Sequence, residues 1–350
     1  MPDLSVIIVN YNSGNFCTQF IESLLDQEFV TPGGKPGELE LIVVDNASPD
    51  DQHGLLDPLA ERGVHVIYSK ENLGYSGGNN VGMRHAHADR VMVSNPDVLF
   101  MPGALQRLMD VMYAHPEAGM VGPISWLDPG FHFMHPPMQR TDIRLHLSEY
   151  AGRVFKTLGR WYSLKRSRYA LNYWTGADVV RTRAISGFCF CMPADLAKRL
   201  GPFDSAFPFY YEDDDLSVRV EKAGYKLLFV RNARVVHFFN KSAGPVYEEV
   251  LGKYYRSKNY FFQKHAGPVG HWLYKVSTNF FNPRMARLKG SHFMEIEDLG
   301  TCSDPFELDL PEGEERLVEL TLDRAFVLAA GHIHPGGTYR IPDATWDALD

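Results

Sequence analysis

The feature that most constrains this chain is a set of short apolar runs, β-branched and apolar on both faces, each closed by polar or glycine residues. They lie at residues 4–9, 41–44, 64–68 and 91–93. Runs this short and this continuous suit central strands of a parallel sheet covered on both sides. Between the first two lies an amphipathic stretch, 15–27, with Phe16, Phe20, Leu24 and Leu25 at helical spacing. Residues 79–88 and 102–114 also read as helices, with Pro102 suited to a first turn. Strands alternating with helices imply an α/β domain with a doubly wound sheet. The ligands of such sheets sit beyond the carboxyl ends of the strands.

Residues 125–184 interrupt the rhythm with a segment rich in Pro, His and Arg, whose helical part, about 145–164, is basic and aromatic. It reads as an insertion beside the site. The pattern resumes with a strand at 185–192, a helix at 194–200, a loop at 201–211, a helix at 213–223, and strands at 226–230 and 234–238. Residues 247–265 read as a helix. Runs at 306–310, 317–322 and 325–329, punctuated by Gly313, Gly336 and Gly337, read as a small β module. The expected domains are 1–240, carrying the insertion 125–184 on its acceptor side; a basic aromatic helical segment, 241–294; and an acidic β-rich module, 295–350. The closing residues, 344–350, leave open a longer domain.

Composition narrows the class. Hydrophobic residues make up 45% and charged residues 22%, too apolar a balance for disorder as the main state. No run approaches the ~18 apolar residues of a membrane span. The first apolar run has no basic flank, so it is not read as a signal peptide. Cys17, Cys189, Cys191 and Cys302 lack CxxC spacing and make no disulfide framework, which points to a reducing, cytoplasmic compartment. Cys189 and Cys191 share one face of a strand and read as buried thiols. His332 and His334 also share a face, and the approach to a β-turn accounts for them better than a metal does. The formal net charge is −8, yet residues 295–350 carry 14 acidic residues against 3 arginines. The rest of the chain is therefore slightly positive. Residues 140–168 hold eight Lys/Arg, and residues 253–289 hold eight with no carboxylate.

Four polar clusters follow the four strands: Asn10 to Asn12, Asp45 to Ser48, Asn72 to Asn80, and Asn95 to Asp97. Each alone is ordinary turn chemistry. Four in succession on one edge describe a binding cleft. Asp97, in a stiff Asn-Pro-Asp turn, suits a hard cation, or else caps the helix near Pro102. Glu212, Asp213, Asp214 and Asp215 follow the aromatic loop 207–211. Their mutual repulsion suits a general base, and their place suits an acidic helix N-terminus. His237 lies in an apolar strand and reads as a packed core residue unless a metal is near.

Five segments, SVIIVNYNSG, LIVVDNASPDD, NLGYSGGNNVG, SNPDV and ISGFCFCMPADLAKRLGPFDSAFPFYYEDDDLSVRVEKAGY, in this order resemble the inverting family 2 glycosyltransferases of GT-A fold, above all the rhamnosyltransferase-like branch. The similarity runs through most of residues 4–240, apart from 125–184. It implies a Rossmann-like nucleotide-diphospho-sugar transferase domain with a helical C-terminal segment and a small β-rich module. It implies that Asp45 holds the donor's base, beside the backbone of Val9 to Tyr11, and that Asn72, Gly74 and Asn79 line the nucleoside and diphosphate. Asn95 and Asp97 stand in place of the family's Asp-x-Asp motif, with Asn in the first position. The resemblance makes Asp97 and His237 ligands of a divalent cation, Mg²⁺ or Mn²⁺. It makes Asp213 the catalytic base, and it sets Ser186, Gly187 and Glu212 on the acceptor side.

The implied reaction moves a sugar from dTDP-rhamnose or a UDP-sugar to a hydroxyl of a saccharide or lipid-linked glycan, in polysaccharide or cell-envelope biosynthesis. Asp213 takes the hydroxyl proton and the anomeric configuration inverts in one displacement. The basic aromatic stretches would flank the acceptor or rest on the inner face of the cell membrane. Tyr254, Tyr255, Arg256, Lys258, Tyr260, Phe261 and Phe262 are candidates for that contact, or pack their helix on the core. The acidic module could hold glycan, a second subunit or the acceptor. Nucleic acid is not expected as a partner. A processive synthase is disfavoured, because the Gln of its Gln-x-x-Arg-Trp motif is missing. The alternative is a non-catalytic carbohydrate-binding or scaffold protein on a transferase fold.

Overall fold

The structure, a computed structural model, describes residues 1–201, 203–238, 247–285, 302–321 and 329–349. The chain divides into two compact units. The first comprises Met1–Ser125, Met138–Arg140 and Ala177–Lys258. Its elements run β1 (Leu4–Asn10), α1 (Gly14–Leu25), β2 (Leu39–Asp45), α2 (His53–Glu61), β3 (His65–Tyr68), α3 (Gly74–Arg84), β4 (Arg90–Ser94), β5 (Val98–Phe100), α4 (Ala104–Ala114) and β6 (Ala118–Trp126). After α5 (Ile143–Val154) and α6 (Lys156–Thr175) of the second unit come β7 (Val179–Thr182), β8 (Cys189–Pro193), α7 (Ala194–Leu200), α8 (Glu212–Lys222) and β9 (Lys226–His237).

Among the described residues, nine strands form one sheet in the order β3-β2-β1-β4-β8-β6-β9-β5, with β7 also on β9. The expected parallel arrangement holds for β3-β2-β1-β4. β8 runs antiparallel to both β4 and β6, and β9 runs antiparallel to β5 and β7. A reversed strand presents its N-terminal end at the edge where parallel strands present their C-terminal ends. Gly187 and Phe188, before β8, therefore lie beside Asn95, after β4, and the Asn95 N–H donates to Phe188 O at 2.7 Å.

Both faces of this sheet are sealed. Val6 and Ile8 of β1 join Phe20 and Leu24 of α1 and Leu105 of α4 in one core. Ile7 joins Leu196 of α7 and Leu216 of α8 in the other. Each such fully buried side chain contributes about 1.5–3 kcal/mol. The glycine-rich stretch 74–82, expected to be loop as far as residue 78, is helix from Gly74 onward. A Cβ on Gly78 would meet Val9 at 2.8 Å, and one on Gly82 would meet Ile7 at 2.3 Å. These glycines bring α3 close against β1 rather than forming a turn. Asn46 builds the entry: its Oδ1 accepts the Leu73 N–H, and Asn72 Oδ1 accepts the Gly74 N–H. Pro102 is not in a first turn, because α4 starts at Ala104 behind left-handed Gly103. The strand expected at 226–230 and 234–238 is continuous as β9.

The second unit comprises Trp126–Pro137, Thr141–Gly176 and Asn259–Asp350. It holds α5, α6, the end of α9 (Tyr247–His265) and α10 (Gly267–Met285). It also holds β10 (Glu307–Leu310), β11 (Arg316–Leu320), β12 (Ala330–His334), β13 (Gly337–Arg340) and α11 (Asp343–Leu349). β10 pairs with β13 and β11 with β12, both antiparallel. Most of the run expected at 325–329 lies outside the described residues. Leu127 and Phe133 share a core with Ala330, Tyr339 and Ile341. The buried guanidinium of Arg166 pairs with Glu319 at 2.8 Å.

If close packing is why α3 needs glycine, Gly82→Ala should destabilise the protein by about 1–3 kcal/mol. Gly54→Ala, in α2 with open space around it, should stabilise by up to about 1 kcal/mol. Urea midpoints at constant slope would read both.

Candidate active site

The strand-end clusters meet at one edge of the sheet, tied by side chains. Asp45, buried at the end of β2, accepts hydrogen bonds from Asn10 Nδ2 at 2.7 Å and Ser48 Oγ at 2.6 Å on Oδ1. The Ser48 N–H donates to its Oδ2 at 3.2 Å. Ser48 Oγ also accepts the Asn12 N–H, and Asn12 Nδ2 reaches Asp50. Asn46 Nδ2 donates to Asn72 Oδ1 and Gly74 O, both at 3.1 Å. The loops after β1, β2 and β3 thus form one braced wall. Val9 lies half-buried at its base and Tyr11 is exposed at its rim. Asn79 is fully buried inside α3, and its Nδ2 donates to Tyr75 O.

Asp97 and His237 are 140 positions apart in sequence, and the β5–β9 pairing brings them together. Val98 is the register partner of His237. His237 Nε2 lies 3.5 Å from Asp97 Oδ1, and both side chains are buried. The Phe188 ring stacks on the imidazole, with centroids 4.8 Å apart and planes 16° from parallel. His237 is buried, as its core reading expects, and lies beside Asp97. Asp97 immediately precedes β5, and the N-cap of α4 is Gly103, so Asp97 does not cap that helix. Among the described residues no three or more His, Cys, Asp or Glu side chains form a metal-sized group.

The acidic run begins α8. Tyr210 and Tyr211, just before it, have φ of 62° and 70°, a left-handed conformation rare outside glycine. That bend turns Glu212 inward and sets Asp213 against Gly187. Asp213 Oδ2 accepts the Gly187 N–H at 2.9 Å, and Oδ1 accepts the Asp214 N–H at 2.8 Å. Tyr75 Oη donates to Gly187 O at 2.6 Å, linking α3 to the same residue. Ser186 is half-buried beside it. Asp215 is structural: it pairs with Arg219 at 2.7 Å, and Arg219 also donates to Leu200 O and Gly201 O.

Burial, then the Asp213 carboxylate, holds the Glu212 carboxyl well above the usual glutamate range. Burial raises the Asp213 carboxyl too, against the lowering effect of the N–H groups from Gly187 and Asp214. Burial, then Glu212 and Asp213, raises the Tyr75 hydroxyl. Cys189 is buried and its thiol is pushed up to about 12, which leaves it unreactive.

Sequence reasoning did not single out Asn10, Asn46, Ser48, Tyr75 or Phe188 as site residues. Asn10, Asn46 and Ser48 sit inside motifs it quoted, so position within the strand-end clusters was the available signal. Tyr75 and Phe188 also lie within the quoted segments, but their contacts depend on partners remote in sequence.

The family model described as Glycosyl transferase family 2 matches residues 5–183, and the chain belongs to that family. Asp213 and His237 lie beyond the matched stretch. Over 283 residues the chain is 26% identical to the N-acetylglucosaminyl-diphospho-decaprenol L-rhamnosyltransferase of Mycobacterium tuberculosis, covering 75% of this chain and 85% of that protein. It is 24% identical over 226 residues to the low-salt glycan biosynthesis hexosyltransferase Agl10 of Haloferax volcanii, covering 63% of this chain and 62% of that one. A crystal structure of GalNAc-T7 with UDP, GalNAc and Mn²⁺ superposes with a TM-score of 0.50 at 16% identity, over 80% of this chain and 55% of that one. That likeness shows the fold alone.

A carboxyl held above its unfolded value binds its proton more tightly in the native state. Its stabilising effect is full at acid pH and is lost as pH rises from the ordinary glutamate value, 4.5, through the raised one. Glu212→Gln should therefore match the parent's stability at about pH 4 and exceed it at about pH 8. Urea unfolding at the two pH values would show it.

Proposed function

We propose that this enzyme is an inverting transferase that moves a hexose from a nucleotide-diphosphate donor to a hydroxyl of a saccharide or lipid-linked glycan. The observation that carries the reading is the convergence of Asp45, Asp97, His237 and Asp213 on one strand edge from four separate parts of the chain. The M. tuberculosis relative's name, with its diphospho-decaprenol acceptor and rhamnosyl donor group, supports a lipid-linked acceptor and dTDP-rhamnose ahead of a UDP-sugar.

In this reading Asp45, held by Asn10 and Ser48, accepts a hydrogen bond from the donor's base, with the backbone of Val9 to Tyr11 alongside. Asn72 and Gly74 border the nucleoside and diphosphate. Asn79 acts from within α3 by holding the helix rather than by touching the donor. Ser186, Gly187 and Glu212 border the acceptor. Asp213 is the base. Its lone pairs are oriented by the Gly187 and Asp214 N–H groups, and Tyr75 steadies Gly187. Its raised carboxyl is closer in proton affinity to a working general base than a free aspartate is. As Asp213 takes the hydroxyl proton, the oxygen attacks the anomeric carbon opposite the departing diphosphate. One displacement inverts the centre without a covalent enzyme intermediate, so a second carboxylate nucleophile is not needed.

A divalent cation fits the residues present. Asp97 offers a hard carboxylate and His237 an imidazole nitrogen close by, a donor pair suited to Mn²⁺ or Mg²⁺. Two protein donors leave coordination positions for substrate phosphates, the usual arrangement of Mg²⁺. When bound, the cation would offset charge growing on the leaving diphosphate.

Asp213→Asn should lower donor turnover, including hydrolysis, by about 10²–10⁴-fold with little change in donor binding. Unchanged turnover would remove Asp213 as the base. In a thermal-shift panel, the matching nucleotide sugar should raise Tm further with Mn²⁺ than without it, because a ligand of the native state stabilises it. Asp97→Ala should abolish the Mn²⁺-dependent part. A panel with no shift from any donor would overturn the transferase reading.

A further inference from the structure

In a water-facing helix the outer face is polar and the inner face apolar. α10 reverses this. Its inward side carries Gly270, Tyr274 and Ser277, all buried. Its outward side carries Val269, Trp272, Val276 and Phe280, exposed at 71%, 61%, 45% and 51%. These four are spaced three, four and four residues apart, so they form a single stripe. α6 repeats the theme in the same unit: Leu158, Trp161 and Leu164 are exposed along it, with Phe155 at its N-cap. Both helices pack on α5. Together they hold eight of the large apolar side chains that are exposed among the described residues.

The charge carried by α6 and α10 themselves has one sign. Residues 156–175 and 253–289 contain no carboxylate. Arg160, Lys165 and Arg168 are exposed on α6, and Lys275 is exposed on α10. The Lys165 ammonium lies 5.2 Å from the centre of the Trp161 ring. No helix among the described residues is long and apolar enough to cross a membrane.

We propose that these faces of α6 and α10 seat the protein on an anionic membrane surface, the apolar stripes entering the headgroup boundary and the basic side chains meeting lipid phosphates. A bilayer supplies both an apolar layer and a negative surface potential worth about 1 kcal/mol per basic residue near it. A second copy of the chain would bring the same positive charge against itself. The inference deepens the proposed reaction by giving a lipid-linked acceptor a place to be met, yet it stands on the surface of α6 and α10 and not on the base or the metal.

The test is cosedimentation of the full chain with vesicles of phosphatidylcholine alone and of phosphatidylcholine with phosphatidylglycerol. The parent should bind the anionic vesicles preferentially, lose binding as salt rises, and show a blue-shifted tryptophan emission. The triple variant Val269→Ser, Trp272→Ser, Phe280→Ser should lose at least about tenfold in affinity. Arg160→Glu with Lys165→Glu should lose the preference for anionic lipid. Thermal melting and turnover of a soluble nucleotide sugar should stay within about twofold of the parent in both variants. Failure of the parent to bind anionic vesicles, or equal binding by the triple variant, would overturn the proposal. So would a parent that self-associates and becomes monomeric in the triple variant, since a second copy would then cover the face. Absence of sugar turnover in the parent would instead count against the transferase reading and leave the vesicle result to stand by itself.

Discussion

The site edge depends on one close approach: α3 lying against β1 with no side chain of its own at Gly78 and Gly82. At Gly78 and Gly82 a Cβ would occupy the space already filled by Val9 and Ile7. With α3 that near, its first turn reaches the ends of β1 and β2, and Asn46 can hold Asn72, Leu73 and Gly74. The same helix presents Tyr75 to Gly187, and Gly187 in turn donates to Asp213. A shift of α3 would therefore loosen the strand-end wall and the acid pair together.

Burial and strain are concentrated at this strand edge. Left-handed backbone at a non-glycine residue costs about 1–3 kcal/mol, and Tyr210 and Tyr211 both adopt it immediately before Glu212. Asn12 and Ala47, in the wall across the edge, do so as well. Two adjacent carboxyls then face a low-dielectric environment with raised proton affinity. The positive end of α8 offsets part of this, and the Asp215–Arg219 pair anchors the helix from within. The arrangement sacrifices some stability for an acid pair of raised proton affinity, the pattern expected of a functional site.

Much of this was legible in the chain. Four apolar runs, each ending in polar residues, predicted the strands β1 to β4 and the edge on which the polar clusters meet. Motif order gave the family resemblance, which the family match bears out. Other parts were hidden for identifiable reasons. β5 spans Val98–Phe100 and β7 spans Val179–Thr182, both too short for a periodic signal. The stretch at Gly74 has turn composition, and only the nearness of β1 reveals why it is a helix. Within the segment 125–184, read as an insertion, Leu127 and Phe133 share a core with residues two hundred positions later, a pairing with no local signal.

Residue identity alone determined which chemistry this protein has available: carboxylates at strand ends, an acid run behind tyrosines, and basic aromatic stretches free of carboxylates. Those properties are local, because backbone preference, side-chain type and charge are carried by each residue wherever it lies. Tertiary structure decided which of them act together. Asp97 meets His237 only through antiparallel pairing of β5 with β9, and Asp213 meets Tyr75 only through the Gly187 peptide. The outward turn of Trp272 and Phe280 was likewise decided by how α10 packs. Contacts of this kind arise from sheet order and packing distance, which no single segment encodes.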